Sequence, residues 1–229
     1  MTKRITGYAP QAARGRSGRF TIVVLAALLS AGCGGSLFQS ELPAPTRYVI
    51  AAPPPATTPS TTIAAAVDIA IGRPDVAPGL DTDAIATIRG HELDYYRGAL
   101  WRGTVLETVQ DFLVITFQDQ KLFRSVATEQ ARVSSDYLLD VEVRDFQAEY
   151  ANGSSAPVAH VTLIGRLVRI RDRNLIEVMP VTASQPAREN RLSAVAAAFE
   201  NAMREVSLDL ARRTAERAGQ DQSAASANE

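Results

Sequence analysis

The sequence has 229 residues, of which 46% are apolar and 21% charged, and its formal net charge is −1. This composition is typical of a single globular domain with short extensions, and it excludes collagen-like, coiled-coil and wholly disordered chains. The balanced charge argues against nucleic-acid binding, which needs a basic face. The single cysteine excludes an internal disulfide and a thiolate-rich metal site.

Residues 1–32 show the order of features that is typical of a secretory signal peptide. Residues 1–19 carry five basic side chains and no acidic one, residues 20–29 are nearly all apolar, and small residues follow. A helix made from the apolar run would be about 15 Å long, which is half of a bilayer's hydrocarbon core. A permanent transmembrane helix is therefore disfavoured.

The only cysteine, Cys33, follows the small residues Ser30, Ala31 and Gly32. This segment resembles the lipobox of bacterial lipoproteins, although Ser30 replaces the usual leucine. The resemblance implies cleavage between Gly32 and Cys33, and it implies an S-linked diacylglycerol and an N-linked acyl chain such as palmitate on Cys33. Several acyl chains make a stable membrane anchor. The alternative is an ordinary signal peptide in which the cysteine occurs by chance.

Loss of residues 1–32 would remove five basic residues, leaving 19 basic and 25 acidic residues and a net charge of −6. An acidic body is not attracted to anionic lipid head groups, so we expect membrane attachment through the lipid alone. Gly34 occupies the position where aspartate tends to retain enterobacterial lipoproteins in the inner membrane. The resemblance therefore favours the periplasmic side of the outer membrane over the inner membrane.

The mature chain is predicted to begin with a lipidated flexible tether, residues 33–46, followed by a domain over 47–218. Arg47 to Ala51 predict a short strand, and the Pro- and Thr-rich residues 52–62 predict an exposed extended segment. Alternating apolar residues from Ile63 to Ile71 predict a second strand.

A turn-rich loop, residues 72–82, precedes two further short strands around Ile85–Ile88 and Leu93–Tyr96. Apolar residues then recur at helical spacing over 102–118, which predicts an amphipathic helix. Thr104 and Glu107 are spaced as a capping box at its start.

A strand edge around Leu122–Val126 is followed by an antiparallel meander of strands over 137–150, 158–170 and 175–181. Apolar positions change parity near Arg144-Asp145, which predicts a bulge there. Asn152-Gly153 is a hairpin turn signal.

The last element is a long amphipathic helix over 189–217, ended by Gly219 and followed by a disordered tail, 219–229. Together these elements predict an α/β fold. We expect a two-layer sandwich in which a mixed or antiparallel sheet of six to seven short strands packs against two main amphipathic helices.

The full pattern resembles the auxiliary lipoproteins of ABC-type transporters that carry MCE-domain subunits. The matching segments are the opening tyrosine strand Arg47-Tyr48-Val49-Ile50, the tyrosine-to-tryptophan motif from Leu93 to Trp101, and the Ala-rich start of the last helix, 194–199. The resemblance implies a non-enzymatic component that docks an MCE protein, and through it a permease and an ATPase, to a membrane. The cargo would be lipids or other hydrophobic molecules. The chain has no P-loop pattern and cannot itself be the ATPase.

Tyr95, Tyr96 and Trp101 have two interpretations, as anchors of the core or as a partner-docking patch. Since Tyr95 and Tyr96 are neighbours on a strand, one ring is expected on each face. His91 and His160 are interpreted as structural or solvated, and we expect no catalytic residue, no metal site and no cofactor. Three alternatives stay open. The protein is an independent envelope scaffold that resembles a pilotin, or it is a lipid-anchored hydrolase, or it forms a homo-oligomer.

Overall fold

The computed structural model describes residues 44–52, 65–151 and 153–227. The predicted signal peptide, Cys33, nearly all of the predicted tether and most of the Pro- and Thr-rich segment lie outside these residues. Within the described part of the chain, no helix combines the length and apolar character needed to cross a membrane.

The described residues form nine strands, two α-helices and a short 3-10 turn, Glu129–Ala131. The helices are α1 (Val105–Gln120) and α2 (Leu192–Ala227). The strands are β1 (Thr46–Tyr48), β2 (Ala65–Ile71), β3 (Asp75–Val76), β4 (Ala84–Arg89), β5 (Glu92–Trp101), β6 (Phe123–Thr128), β7 (Tyr137–Tyr150), β8 (Val158–Arg169) and β9 (Asn174–Pro186).

The α/β class, the mixed sheet and the two helices are confirmed, but the predicted strand number of six to seven is wrong. One strand that was not predicted is β3, which has two residues and lies inside the predicted loop 72–82. Two residues are too short to show any periodicity, so sequence alone could not reveal this strand. β7 has the predicted bounds, β8 ends one residue before its predicted end, and only β9, with 13 residues in place of 175–181, is longer than predicted.

The sheet is organised around β7. Along one side β7 pairs antiparallel with β8, which pairs antiparallel with β9, so the predicted meander is confirmed. Along its other side β7 pairs in parallel with β2, β3 and β4 in succession. β5 lies antiparallel beside β4, β1 lies parallel beside β5, and β6 lies parallel beside β2.

The predicted bulge in β7 is confirmed by a shift in its pairing with β8 between Val143 and Asp145. Before the shift Val141 and Val143 are buried, and after it Phe146 and Ala148 are buried. Because side chains alternate across a strand, one extra residue is needed to keep both apolar sets on the same face.

Both helices pack against this buried face of the sheet, which we call the inner face. The opposite, outer face carries charged residues along β7 and β8, where Arg166 pairs with Asp140 and Glu142. Helix α1 begins with the predicted capping box. The Glu107 amide donates to Thr104 Oγ1 at 3.2 Å, and the Thr104 amide donates to Glu107 Oε2 at 3.0 Å.

Helix α2 does not end at Gly219, and the prediction of a disordered tail is wrong for residues 219–227, which are helical. Asp221 holds this extension against the sheet. It accepts a hydrogen bond from the Tyr137 hydroxyl at 2.7 Å and from Arg169 Nε at 2.8 Å. A glycine inside a helix costs only about 1 kcal/mol, which contacts of this kind can offset.

Replacing Asp221 with asparagine is expected to free the end of α2. The Arg169 guanidinium, with help from the Tyr137 hydroxyl, holds the pKa of Asp221 below its ordinary value. A carboxylate with a depressed pKa stabilises the fold above its unfolded pKa, and this contribution is lost as the pH falls through the folded pKa. Amide exchange in residues 219–227 should therefore accelerate by about tenfold in Asp221→Asn at pH 7.

The difference between wild type and Asp221→Asn should begin to shrink as the pH falls below about 4, where the carboxylate of the unfolded chain takes up a proton. It should vanish once the pH lies below the depressed pKa of the folded Asp221. Asp209→Asn is the control, because among the described residues Asp209 pairs with arginines on its own helix, Arg212 and Arg213. Equal exchange rates in wild type and Asp221→Asn at pH 7 would contradict the assigned role of Asp221.

Candidate functional site

Tyr95 is the exposed member of the tyrosine pair on β5. Its side chain keeps 39% of its surface exposed, and Leu93, two residues earlier on the same face, keeps 43%. The Tyr95 hydroxyl donates to the Gly79 carbonyl at 2.7 Å. Gly79 has a φ of +83°, and a Cβ there would lie 2.9 Å from Leu93 Cδ2. Leu93 and Tyr95, which we call the Tyr95 patch, therefore rest directly on a loop that needs glycine.

Tyr96 points to the other side, as expected, and is partly buried against the core. Its hydroxyl lies 3.0 Å from that of Tyr150, which donates to Asn190 Oδ1 at 2.7 Å. Burial, followed by the contact with Tyr150, raises the pKa of Tyr96 well above its ordinary value. Tyr96 is thus a neutral hydroxyl that joins β5 to β7 and, through Tyr150, to the segment before α2.

Trp101 lies in the core with 1% of its surface exposed. Its ring makes edge contacts with Phe146 and Phe199, with centroid distances of 5.9 and 5.1 Å. The structure therefore places Trp101 as the aromatic anchor between β5, β7 and α2, and leaves no ring surface for a partner.

Simple alternation along β5 would put Tyr95 and Trp101 on the same face. The structure separates them at Gly98, where φ is +70° and β5 carries extra residues relative to β4. Ala86 pairs with Tyr95, yet Ala84 pairs with Leu100. This bulge turns Trp101 inward while Tyr95 stays outside, which the tyrosine-to-tryptophan spacing alone could not reveal.

A groove of about 610 Å³ lies between residues Tyr48–Ala52, which include the end of β1, and helix α1. Its walls combine exposed apolar side chains, Val49 and Ile115, with polar ones such as Asp111. Trp101 lies at its base. The volume is within the range of ligand pockets. Its mixed lining, however, indicates no single class of ligand.

A serine, a histidine and a carboxylate meet on the outer face of the sheet, which the sequence reading missed. Ser184 Oγ lies 2.9 Å from His160 Nδ1, and His160 Nε2 lies 3.5 Å from Glu149 Oε2. Ser184, His160 and Glu149 follow one another in the order nucleophile, base and carboxylate that acyl-transfer enzymes use. Only the cross-strand pairing of His160 with Ser184 could have revealed this trio. The register of β8 and β9 depends on the irregularity between Leu167 and Val168.

This trio lies on an open strand surface, where Ser184 is exposed, and its residues do not line the cavities of about 610, 350 and 370 Å³. An exposed serine without a substrate cavity gains neither positioning nor oxyanion stabilisation. We expect a fluorophosphonate probe to label the wild type no faster than Ser184→Ala or His160→Ala. Labelling that disappears in both variants but persists in His91→Ala would contradict this expectation.

His91 is exposed in the two-residue turn between β4 and β5. Among residues 44–52, 65–151 and 153–227, no group of three or more His, Cys, Asp or Glu side chains is arranged to hold a metal ion.

The sequence from residue 48 to residue 211 matches the family model described as ABC-type transport auxiliary lipoprotein component. A crystal structure of a Xanthomonas campestris protein of family DUF330 is similar, with 29% identity, a TM-score of 0.68, and coverage of 78% of this chain and 99% of that one. An uncharacterised protein at 14% identity shares the fold, with a TM-score of 0.58 and coverage of 75% and 99%. No functionally curated protein matches the chain.

Proposed function

Because the chain belongs to the family of ABC-type transport auxiliary lipoprotein components, we propose that it docks the periplasmic MCE-domain subunit of such a transporter to a membrane. The family match carries this proposal, since it spans the body of the described domain from β1 into α2. The cargo would be lipids or other hydrophobic molecules, and the permease and ATPase would be reached through the MCE subunit.

The proposed attachment is a lipidated Cys33, cut free from Gly32 and carrying diacylglycerol and an N-acyl chain. Residues 33–45 separate this cysteine from β1, and a fully extended segment of that length reaches at most about 45 Å. As a flexible coil it would span about 20 Å on average. A tether of this length keeps the domain near one membrane surface while leaving it free to turn. We place that surface on the periplasmic side of the outer membrane.

The Tyr95 patch supports a binding role for this domain, because tyrosine is enriched in interface hot spots and Leu93 adds exposed apolar surface beside it. Tyr95 is also held in place by its hydrogen bond to Gly79, so little side-chain freedom would be lost on binding. Tyr96 and Trp101 would support this patch from beneath rather than touch the partner.

Affinity purification of the mature lipoprotein from detergent-solubilised membranes tests the proposal. The expected result is recovery of an MCE-domain protein together with a permease and an ATPase, and their genes should lie beside the gene for this chain. Recovery of a secretion channel or another envelope assembly, without transporter subunits, would instead support the independent scaffold.

A further inference from the structure

The outer face of the sheet changes character at the end where β7 begins. Over the rest of its length polar residues alternate with apolar ones on this face. The polar residues are Asp140, Glu142, Thr162, Arg166, Thr182 and Ser184, and the apolar ones include Ile164 and Val178. Cross-strand pairing then places five apolar residues in a single row over β6, β2, β7, β8 and β9. They are Ala127, Ala70, Leu138, Val168 and Leu175. Neither helix of the described residues packs on this face, so the row does not belong to the core between helices and sheet.

A cleft of about 370 Å³ lies over part of this row. One wall is the segment Glu129–Ser135, and the other is the turn between β8 and β9, with Ile170 and Arg173. Val133 is 59% exposed and Ile170 is 42% exposed at its mouth. We call this feature the Val133 cleft. Its volume is large enough to bury apolar side chains from another molecule.

Two exposed arginines occur at the Val133 cleft. Arg173 is one of its lining residues, and Arg132 directly precedes Val133 in the sequence. Neither joins an ion pair formed between described residues. By contrast, Arg124 and Arg166 on the same face are each bound by two carboxylates. The rim also includes one acidic side chain, Glu129. On a mature chain whose net charge would be −6, this local excess of free cations is a distinct feature.

The direction of the chain places the Val133 cleft away from the point where the tether enters. β1 is parallel to β5, which is antiparallel to β4, which is parallel to β7. β1 therefore runs opposite to β7, and the chain enters from the Tyr150 end. Thr46 lies roughly 25 Å along the strand direction from Tyr137, at 3.3 Å per residue. The cleft lies at the Tyr137 end of β7, so it is distant from Thr46, the first residue of β1.

We propose that the Val133 cleft is the docking surface for a polypeptide segment of the transporter's MCE-domain subunit. The segment would insert an apolar side chain between Val133 and Ile170, and its carboxylates would pair with Arg132 and Arg173. This inference rests on the proposed function and names the surface and the chemistry that it uses.

The shape and charge favour a polypeptide over a bilayer. Binding to a bilayer uses protruding apolar side chains that enter the lipid, whereas this site is a cavity that accepts a protruding group. An acidic body is also repelled by anionic lipid. Insertion of an apolar side chain into a cavity rimmed by ionic pairs is the arrangement of protein interface hot spots.

Binding of the purified MCE subunit to the mature lipoprotein, measured by biolayer interferometry, tests the inference. Val133→Ser/Ile170→Ser and Arg132→Glu/Arg173→Glu should each weaken binding by about tenfold or more. Matched controls are Ile115→Ser, with 43% exposure on α1, and Arg188→Glu, another exposed arginine. Both controls should bind within about twofold of wild type. Unfolding midpoints of all four variants confirm that the domain is folded.

The outcomes separate the two proposals. If the wild type binds and the cleft variants bind equally well, the cleft is not the docking surface, while the docking function stands. If the wild type does not bind, the docking function fails and the cleft assignment fails with it. Cleft-dependent binding to phosphatidylglycerol vesicles, or cleft-dependent dimerisation in sedimentation experiments, would overturn the polypeptide assignment in favour of lipid or of a second copy.

Discussion

Trp101→Ala is expected to lower the free energy of unfolding by about 3–5 kcal/mol, a large part of the total stability of a domain of this size. The indole is 1% exposed and makes edge contacts with Phe146 and Phe199, so its removal leaves a cavity between sheet and helix. Urea unfolding followed by circular dichroism measures the change. Tryptophan fluorescence is unsuitable because the chain has only one tryptophan.

Trp101→Phe and Tyr95→Ala are the matched comparisons. Among the described residues the Trp101 indole nitrogen has no hydrogen-bond partner, so phenylalanine forfeits contact area but no polar interaction. Trp101→Phe should therefore lower the free energy of unfolding by about 1–2 kcal/mol. Tyr95→Ala, at an exposed position, should cost less than about 1 kcal/mol. A cost for Trp101→Ala as small as that for Tyr95→Ala would contradict the placement of Trp101 as a core anchor.

Cys33→Ser is expected to abolish stable membrane attachment of the mature chain once residues 1–32 have been removed, because attachment would depend on two or more acyl chains on this residue. Each buried CH₂ contributes about 0.8 kcal/mol, and loss of all chains leaves an acidic domain with no attraction to anionic lipid. The measurement is the share of protein in the membrane fraction after carbonate washing. Mass spectrometry of the mature N-terminal peptide should show a triacylated cysteine in the wild type only.

The Cys33→Ser substitution would also block cleavage by a lipoprotein-specific peptidase, and the uncut apolar run could hold the precursor at the membrane. A second version of this variant therefore carries an ordinary cleavable signal peptide in place of residues 1–32. Its mature form should be soluble in the periplasm. Full retention in the membrane after cleavage would show that attachment does not depend on the lipid.

The sequence was most informative where one short-range pattern determines one structural feature. The Thr104 and Glu107 spacing specified the start of α1, and the parity change at Arg144-Asp145 specified the bulge in β7, because both depend on neighbouring residues only. Gly219 was misleading because the helix beyond it is held by contacts from Asp221 to β7 and β8, which are distant in sequence. Long-range pairing is invisible to local periodicity.

The candidate surfaces were predictable only in part. The neighbouring tyrosines correctly predicted one exposed and one inward ring, because successive side chains on a strand point to opposite faces. The inward turn of Trp101 depends on the backbone at Gly98. The Val133 cleft combines residues from β2, β7, β8 and two loops, so it exists only once the strand order is known.

The central position of β7 delays the pairing of β2 and β3. β3 takes its partner from β7, and β2 takes its partners from β6 and β7, all of which are synthesised many residues later. Closing loops of that length slows folding, because the entropy cost comes before the pairing energy. β2 and β3 therefore stay without their partners until β7 has been made, and a delay of this kind is compatible with the proposed export of the chain before it folds.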